Sequence, residues 1–151
     1  MQHKHNAFTL IEAILTVVVI GILAAVILPR FIKDGFIQGP VLRTAVSAIS
    51  ADTRYTRRLA VTHAGHFLIR FDFNAKEYSI YKDSVSPANL VGETKSVQPQ
   101  VSLSGTEQFD FYSLGNAIFS GTGLNISTDE THQYRLTVEP PSGAVFVEKL
   151  P

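Results

Sequence analysis

No cysteine occurs in the 151 residues. Its absence excludes a disulfide framework, a cysteine-ligated metal and a thiol nucleophile, and leaves the compartment open. An excess of charge is missing as well. Thirteen lysines and arginines balance thirteen aspartates and glutamates, so composition does not point to a large nucleic-acid or acidic-substrate surface. No internal repeat, glycine-rich phosphate loop or G-x-S-x-G elbow is present. The chain is therefore expected to be neither an enzyme nor the holder of a cofactor.

What is there falls into two unlike parts. From Phe8 to Leu28 only Thr9, Glu12 and Thr16 have polar side chains, whereas residues 50–151 are polar with alternating hydrophobics. A helix over that first run reaches roughly 31 Å, the thickness of a bilayer hydrocarbon core. The run exceeds the roughly 7–15 apolar residues of a secretory signal, and Pro29, Arg30 and Phe31 follow it in place of a small-residue cleavage site. Before it stands MQHKHNA, with Lys4 and no acid. By the positive-inside tendency this leader lies in the cytoplasm and the bulk of the chain across the membrane. Glu12 is the anomaly, because an ionisable group in a spanning helix costs about 2.5–3.5 kcal/mol even on insertion scales. Either it reaches water at the nearby interface or it has a partner in the membrane.

The letters A-F-T-L-I-E at residues 7–12 resemble the class III prepilin processing motif of type IV pilins and pseudopilins. The resemblance implies cleavage between Ala7 and Phe8, N-methylation of Phe8, and an assembly role for Glu12 at the family's fifth-position glutamate. Pro29 matches the proline that commonly closes the apolar run, and Gly21 a helix-weakening glycine. Ala7 stands where the family usually has glycine. In an assembling filament the Glu12 carboxylate can pair with the new amine of a neighbouring subunit's first residue. In low dielectric such a pair is strongly favoured over two lone charges, and it selects one axial register among many that apolar helices accept about equally. The implied partners are other pilins or pseudopilins, the inner-membrane assembly platform and the prepilin peptidase.

After Pro29, Gly35, Gly39 and Pro40 predict a bend or short break. Helical periodicity resumes from Val41, with Leu42, Ala45, Val46 and Ile49 on an apolar face and Arg43, Ser47, Ser50 and Arg54 on a polar one. The helix is expected to end near His63. Alternation then predicts strands at 66–73, 77–82, 108–113, 133–139 and 144–148, with a short strand at 101–103 inside a long loop and a turn-rich connection at 120–125. The expected fold is α+β, a long interrupted amino-terminal helix packed on an antiparallel sheet. Its parts are a removed leader (1–7), a transmembrane and assembly half of the helix (8–30), an amphipathic half (31–64) and a β-rich periplasmic head (65–151). The passages RLAVTHAGHFLIRFDFNAKEYSIY, FYSLGNAIFSGTGLNI and YRLTVEPPSGAVFV resemble, more loosely, H-type minor pseudopilins of type II secretion and FimT-like minor pilins. The lack of cysteine leans away from a major adhesive pilin, whose carboxy-terminal region often carries a disulfide.

His63 and His66 have a metal-like spacing but no evident third ligand, which favours solvated boundary histidines. Arg54, Arg57 and Arg58, which Arg70 could join, form a basic stripe that reads either as a solvated helix face or as a contact for DNA phosphates. Asp129 and Glu130, beside Thr128 and Thr131, are too few oxygens for calcium. The leading reading is a structural subunit of a type II secretion pseudopilus or a type IV pilus. The alternatives are a minor pilin whose head binds DNA or another ligand, and a simple membrane-tethered periplasmic domain.

Overall fold

The computed structural model describes residues 10–33, 38–128 and 132–151. The chain divides into two compact units, Met1–Ile37 and Gln38–Pro151. The first contains helix α1, Leu10–Lys33. Its window Leu10–Ile27 has a mean hydropathy of 2.9, and none of it is buried within the protein. The run Val17-Val18-Val19-Ile20 is β-branched and a poor helix former in water. In a bilayer, however, a helix satisfies every backbone polar group internally, so hydrocarbon favours it where water would not. The hydroxyl of Thr16 donates to the carbonyl of Ala13 at 2.8 Å, so it too is satisfied inside the helix.

The second unit opens with α2, Gln38–Thr62. Helix was expected to resume at Val41, yet Gly39 and Pro40 lie inside its first turn. Proline fits there because the first N–H groups of a helix have no intrahelical acceptor to lose. Residues 34–37, where part of the break was expected, lie outside the described residues. Leu42, Ala45, Val46, Ile49, Thr53, Thr56 and Ala60 are buried along one face of α2. The two buried threonines return their hydroxyl protons to the carbonyls of Ile49 and Asp52, each at 2.8 Å. Past Thr62 the chain turns through Ala64, which takes a positive φ of 47°.

Among the described residues nine strands follow, in two antiparallel sheets rather than the single sheet expected. The first sheet has the order β3-β2-β1-β5-β6. Its members are β1 (Phe67–Asp72), β2 (Glu77–Lys82), β3 (Lys95–Ser96), β5 (Gln108–Phe111) and β6 (Ala117–Ile118). The second has the order β4-β7-β8-β9, from β4 (Ser102–Gly105), β7 (Leu124–Ser127), β8 (Gln133–Glu139) and β9 (Ala144–Leu150). Alternation works as read for β1, β2, β5 and β8. Phe67, Ile69, Phe71, Tyr78, Ile80, Phe109 and Phe111 come from the first sheet, and Leu103, Leu124, Ile126, Leu136 and Val138 from the second. All join the face of α2 in one core. Phe109 is fully enclosed, with its ring edge-on to Phe71 and Phe119; such pairs add about 0.5–1.5 kcal/mol each beyond area burial.

The expected turn-rich stretch 120–125 in fact runs into β7. Only Leu124 and Ile126 alternate there, directly behind Gly121 and Gly123, so the periodic signal is too short to outweigh the turn residues. The loop 83–101 is tied down by a 3-10 turn at Pro87–Asn89, by β3, and by the buried side chains of Val97 and Val101.

Candidate functional site

On α2, three- and four-residue spacing sets Arg54, Arg57 and Arg58 on one face, and the fold brings that face against the β8–β9 turn. The three arginines line a single cleft of about 420 Å3 with Val61, Gly143 and Val145. Arg57 is half-buried, and its Nε–H donates to the Gly115 carbonyl at 3.1 Å. Arg54 is exposed and reaches the Val145 carbonyl at 3.4 Å, and Arg58 is exposed. No carboxylate of the described residues forms an ion pair with any of them.

The cleft depends on two glycines. Gly143 has φ 64° and Gly115 φ 81°, a region that side chains rarely adopt. A Cβ on Gly143 would also fall 1.9 Å from the Gly115 carbonyl oxygen and 3.0 Å from Arg57 Nε. The two turns therefore nest through backbone alone, and the Arg57 guanidinium is wedged where they meet. Sequence spacing put these arginines on one face. It carried no sign of the turns that wall them, which arrive from residues 58 and more positions away.

Arg70 does not join this group. It lies on β1 in a different cleft, with Asp72, Glu77, Ser79, Tyr81, Thr94 and Glu107 among its walls.

A polar cluster on α2 went unnoticed in the sequence. Asp52 accepts the Tyr78 hydroxyl at 2.7 Å, and Lys95 Nζ donates to both its oxygens at 2.8 Å. Burial, and then the bond and negative charge of Asp52, push the Tyr78 hydroxyl well above the ordinary tyrosine value. This cluster ties helix, β2 and β3 together. A signal existed in the three polar residue types, but nothing local links positions 52, 78 and 95.

His63 is exposed as expected, but His66 is not a solvated boundary residue. Its Nδ1 faces the Asp83 carbonyl at 3.0 Å and its Nε2 the Asp110 carboxylate at 2.8 Å. Its ring also stacks on Tyr112 at 4.8 Å. Asp110 further accepts two bonds from Gln108. The acid missing near His66 in sequence is thus supplied across the β1–β5 pairing. Among the described residues, no three His, Asp or Glu side chains gather as metal ligands. Asp129, Glu130 and Thr131 lie outside the described residues.

Glu12 stands in the first turn of α1 and is exposed, the one acidic residue of that helix. Ala7 and Phe8, the expected processing positions, lie outside the described residues.

These features define a class: an apolar helix long enough to cross a membrane, followed in the chain by an α+β head in which one helix underlies two antiparallel sheets. The prokaryotic N-terminal methylation motif matches residues 2–28. The fold is similar to that of the type IV minor pilin FimU of Pseudomonas aeruginosa, with a TM-score of 0.59 and 16% identity over 70% of this chain and 91% of that one. It is similar as well to the minor pseudopilin EpsH of the Vibrio cholerae type 2 secretion system, with a TM-score of 0.58 and 12% identity over 71% and 95%. No match is found among curated proteins. The motif covers the amino-terminal segment, the likeness to these two structures shows a pilin-like fold, and the motif together with the apolar helix supports membrane anchoring.

Proposed function

We propose that the protein is a minor pilin or pseudopilin, a structural subunit assembled through its amino-terminal helix into a type II secretion pseudopilus or a type IV pilus. The observation that carries this reading is the methylation motif over residues 2–28, which takes in the exposed apolar span Leu10–Ile27. A simple tether needs the helix but neither the motif nor an acid inside the span. On this reading the prepilin peptidase cuts between Ala7 and Phe8, Phe8 is methylated, and the head lies in the periplasm. The inner-membrane platform and other pilins or pseudopilins are its partners, and Glu12 pairs with the amine of a neighbour's Phe8.

The test is the intact mass of the protein purified from membranes of cells with and without prepilin peptidase. Loss of residues 1–7 only where the peptidase is present, together with one methyl group on Phe8, supports the subunit. An uncut chain in both strains leaves the tether.

A second reading, a head that binds DNA, has one observation in its favour: Arg54, Arg57 and Arg58 share a cleft without acidic partners among the described residues. DNA binding that weakens steeply with salt, and is lost when Arg54 and Arg58 are replaced, would distinguish it.

A further inference from the structure

We propose that the arginine cleft between α2 and the β8–β9 turn receives an acidic, apolar-bearing segment of a neighbouring subunit; this rests on the filament reading above. Three guanidiniums share the cleft, and none has a carboxylate partner among the described residues. Clustered like charges repel, so an anion that enters relieves that repulsion as well as gaining its own bonds. Two of the three are pre-positioned. The Gly115 carbonyl holds Arg57 and the Val145 carbonyl holds Arg54, which leaves further N–H groups on each for an incoming carboxylate. Arg58 is exposed, with no bond among the described residues.

The walls select the kind of anion. Val61 and Val145 line the cleft beside the cations, with Val61 48% exposed. Leu114, next in the chain to the Gly115 that holds Arg57, is 90% exposed. Arginine set among exposed apolar side chains is the composition of a protein–protein contact. Nucleic acid is disfavoured by the same facts. The chain has no net charge, and affinity for a nucleic-acid backbone comes from neutralising many phosphates, whereas this cleft offers three arginines. A peptide that presents carboxylates with an apolar side chain between them matches both components.

The experiment titrates the full chain, held in phosphatidylcholine nanodiscs, with three fluorescent probes of equal charge. They are a short peptide of alternating glutamate and leucine, a polyglutamate peptide and a single-stranded oligonucleotide. The glutamate–leucine peptide is expected to bind tightest. R58E, which breaks no bond among the described residues, should weaken it about tenfold or more, and R54E should do the same. R43E, on the same helix but outside the cleft, should leave it unchanged. In cells, R58E should be cut by the prepilin peptidase yet be depleted from the sheared filament fraction. Oligonucleotide binding equal to or tighter than peptide binding overturns the proposal, as does absence of saturable peptide binding or an R58E chain with wild-type peptide affinity. The filament reading fails separately, by an uncut wild-type mass that is seen before any probe is added.

Discussion

Asp52 joins three elements of the head through one side chain: it lies on α2 and accepts from Tyr78 on β2 and Lys95 on β3. Tyr78→Phe removes one of these bonds and should cost about 1 kcal/mol in urea unfolding at neutral pH. Asp52→Ala should cost more, since it strands the buried Tyr78 hydroxyl and also removes the bonds from the half-exposed Lys95. The pH dependence has a definite sign. Folding raises the Tyr78 pKa, so the native state holds this proton more tightly than the unfolded chain does. That contribution is complete below the ordinary tyrosine pKa of about 10 and is lost as pH climbs above it. The stability gap between wild type and Tyr78→Phe should therefore narrow as unfolding is repeated at increasingly alkaline pH. A gap that stays constant would remove the coupling. Glu12 belongs to this scale too. On the filament reading proposed above, Glu12→Ala should still be cut by the prepilin peptidase but should fall about tenfold or more in the filament fraction, because the proposed docking bond is lost while the apolar span is kept.

At the scale of elements, the tightest constraint is the nesting of the β5–β6 and β8–β9 turns. Gly143→Ala adds a Cβ to a backbone at φ 64° and drives it into the Gly115 carbonyl. A loss of about 2 kcal/mol or more is expected in urea unfolding. The change should also enlarge the arginine cleft, because Arg57 is wedged at that contact. Phe109→Ala, in the strand that crosses the centre of the core, should cost about 3–5 kcal/mol. Legibility varied by element for a physical reason. β1, β2, β5 and β8 each send alternate residues into the shared core, so their period of two is written in the chain. β3, β6 and β7 have two to four residues each. β3 and β6 are strands because longer neighbours hold them, and two residues show no period, while in β7 the turn signal of Gly121 and Gly123 stands directly before the alternation. The start of α2 was displaced by Gly39-Pro40, whose helix-breaking character does not operate in a first turn.

For the whole molecule, the described residues combine one apolar helix of span length with one core-bearing head, Gln38–Pro151. The prediction at this scale is the peptidase-dependent mass change, which tests the anchor without disturbing the head. Every member of the hydrophobic core comes from the second unit. Substitutions confined to residues 1–12 are accordingly expected to leave the urea-unfolding midpoint of the head unchanged while they abolish processing or assembly.

The sequence by itself determined the apolar anchor helix and its motif. The motif at residues 7–12, the apolar length behind it and the isolated Glu12 are contiguous, and membrane insertion reads contiguous properties. It also determined the α+β class and which face of each long strand is buried, because helix and strand periods are local. Only the tertiary structure decided that the strands divide into two sheets, that Asp110 meets His66, and that Arg54, Arg57 and Arg58 face a wall of two nested turns while Arg70 lies elsewhere. Those outcomes depend on contacts between residues far apart in the chain, whose energies no local pattern contains.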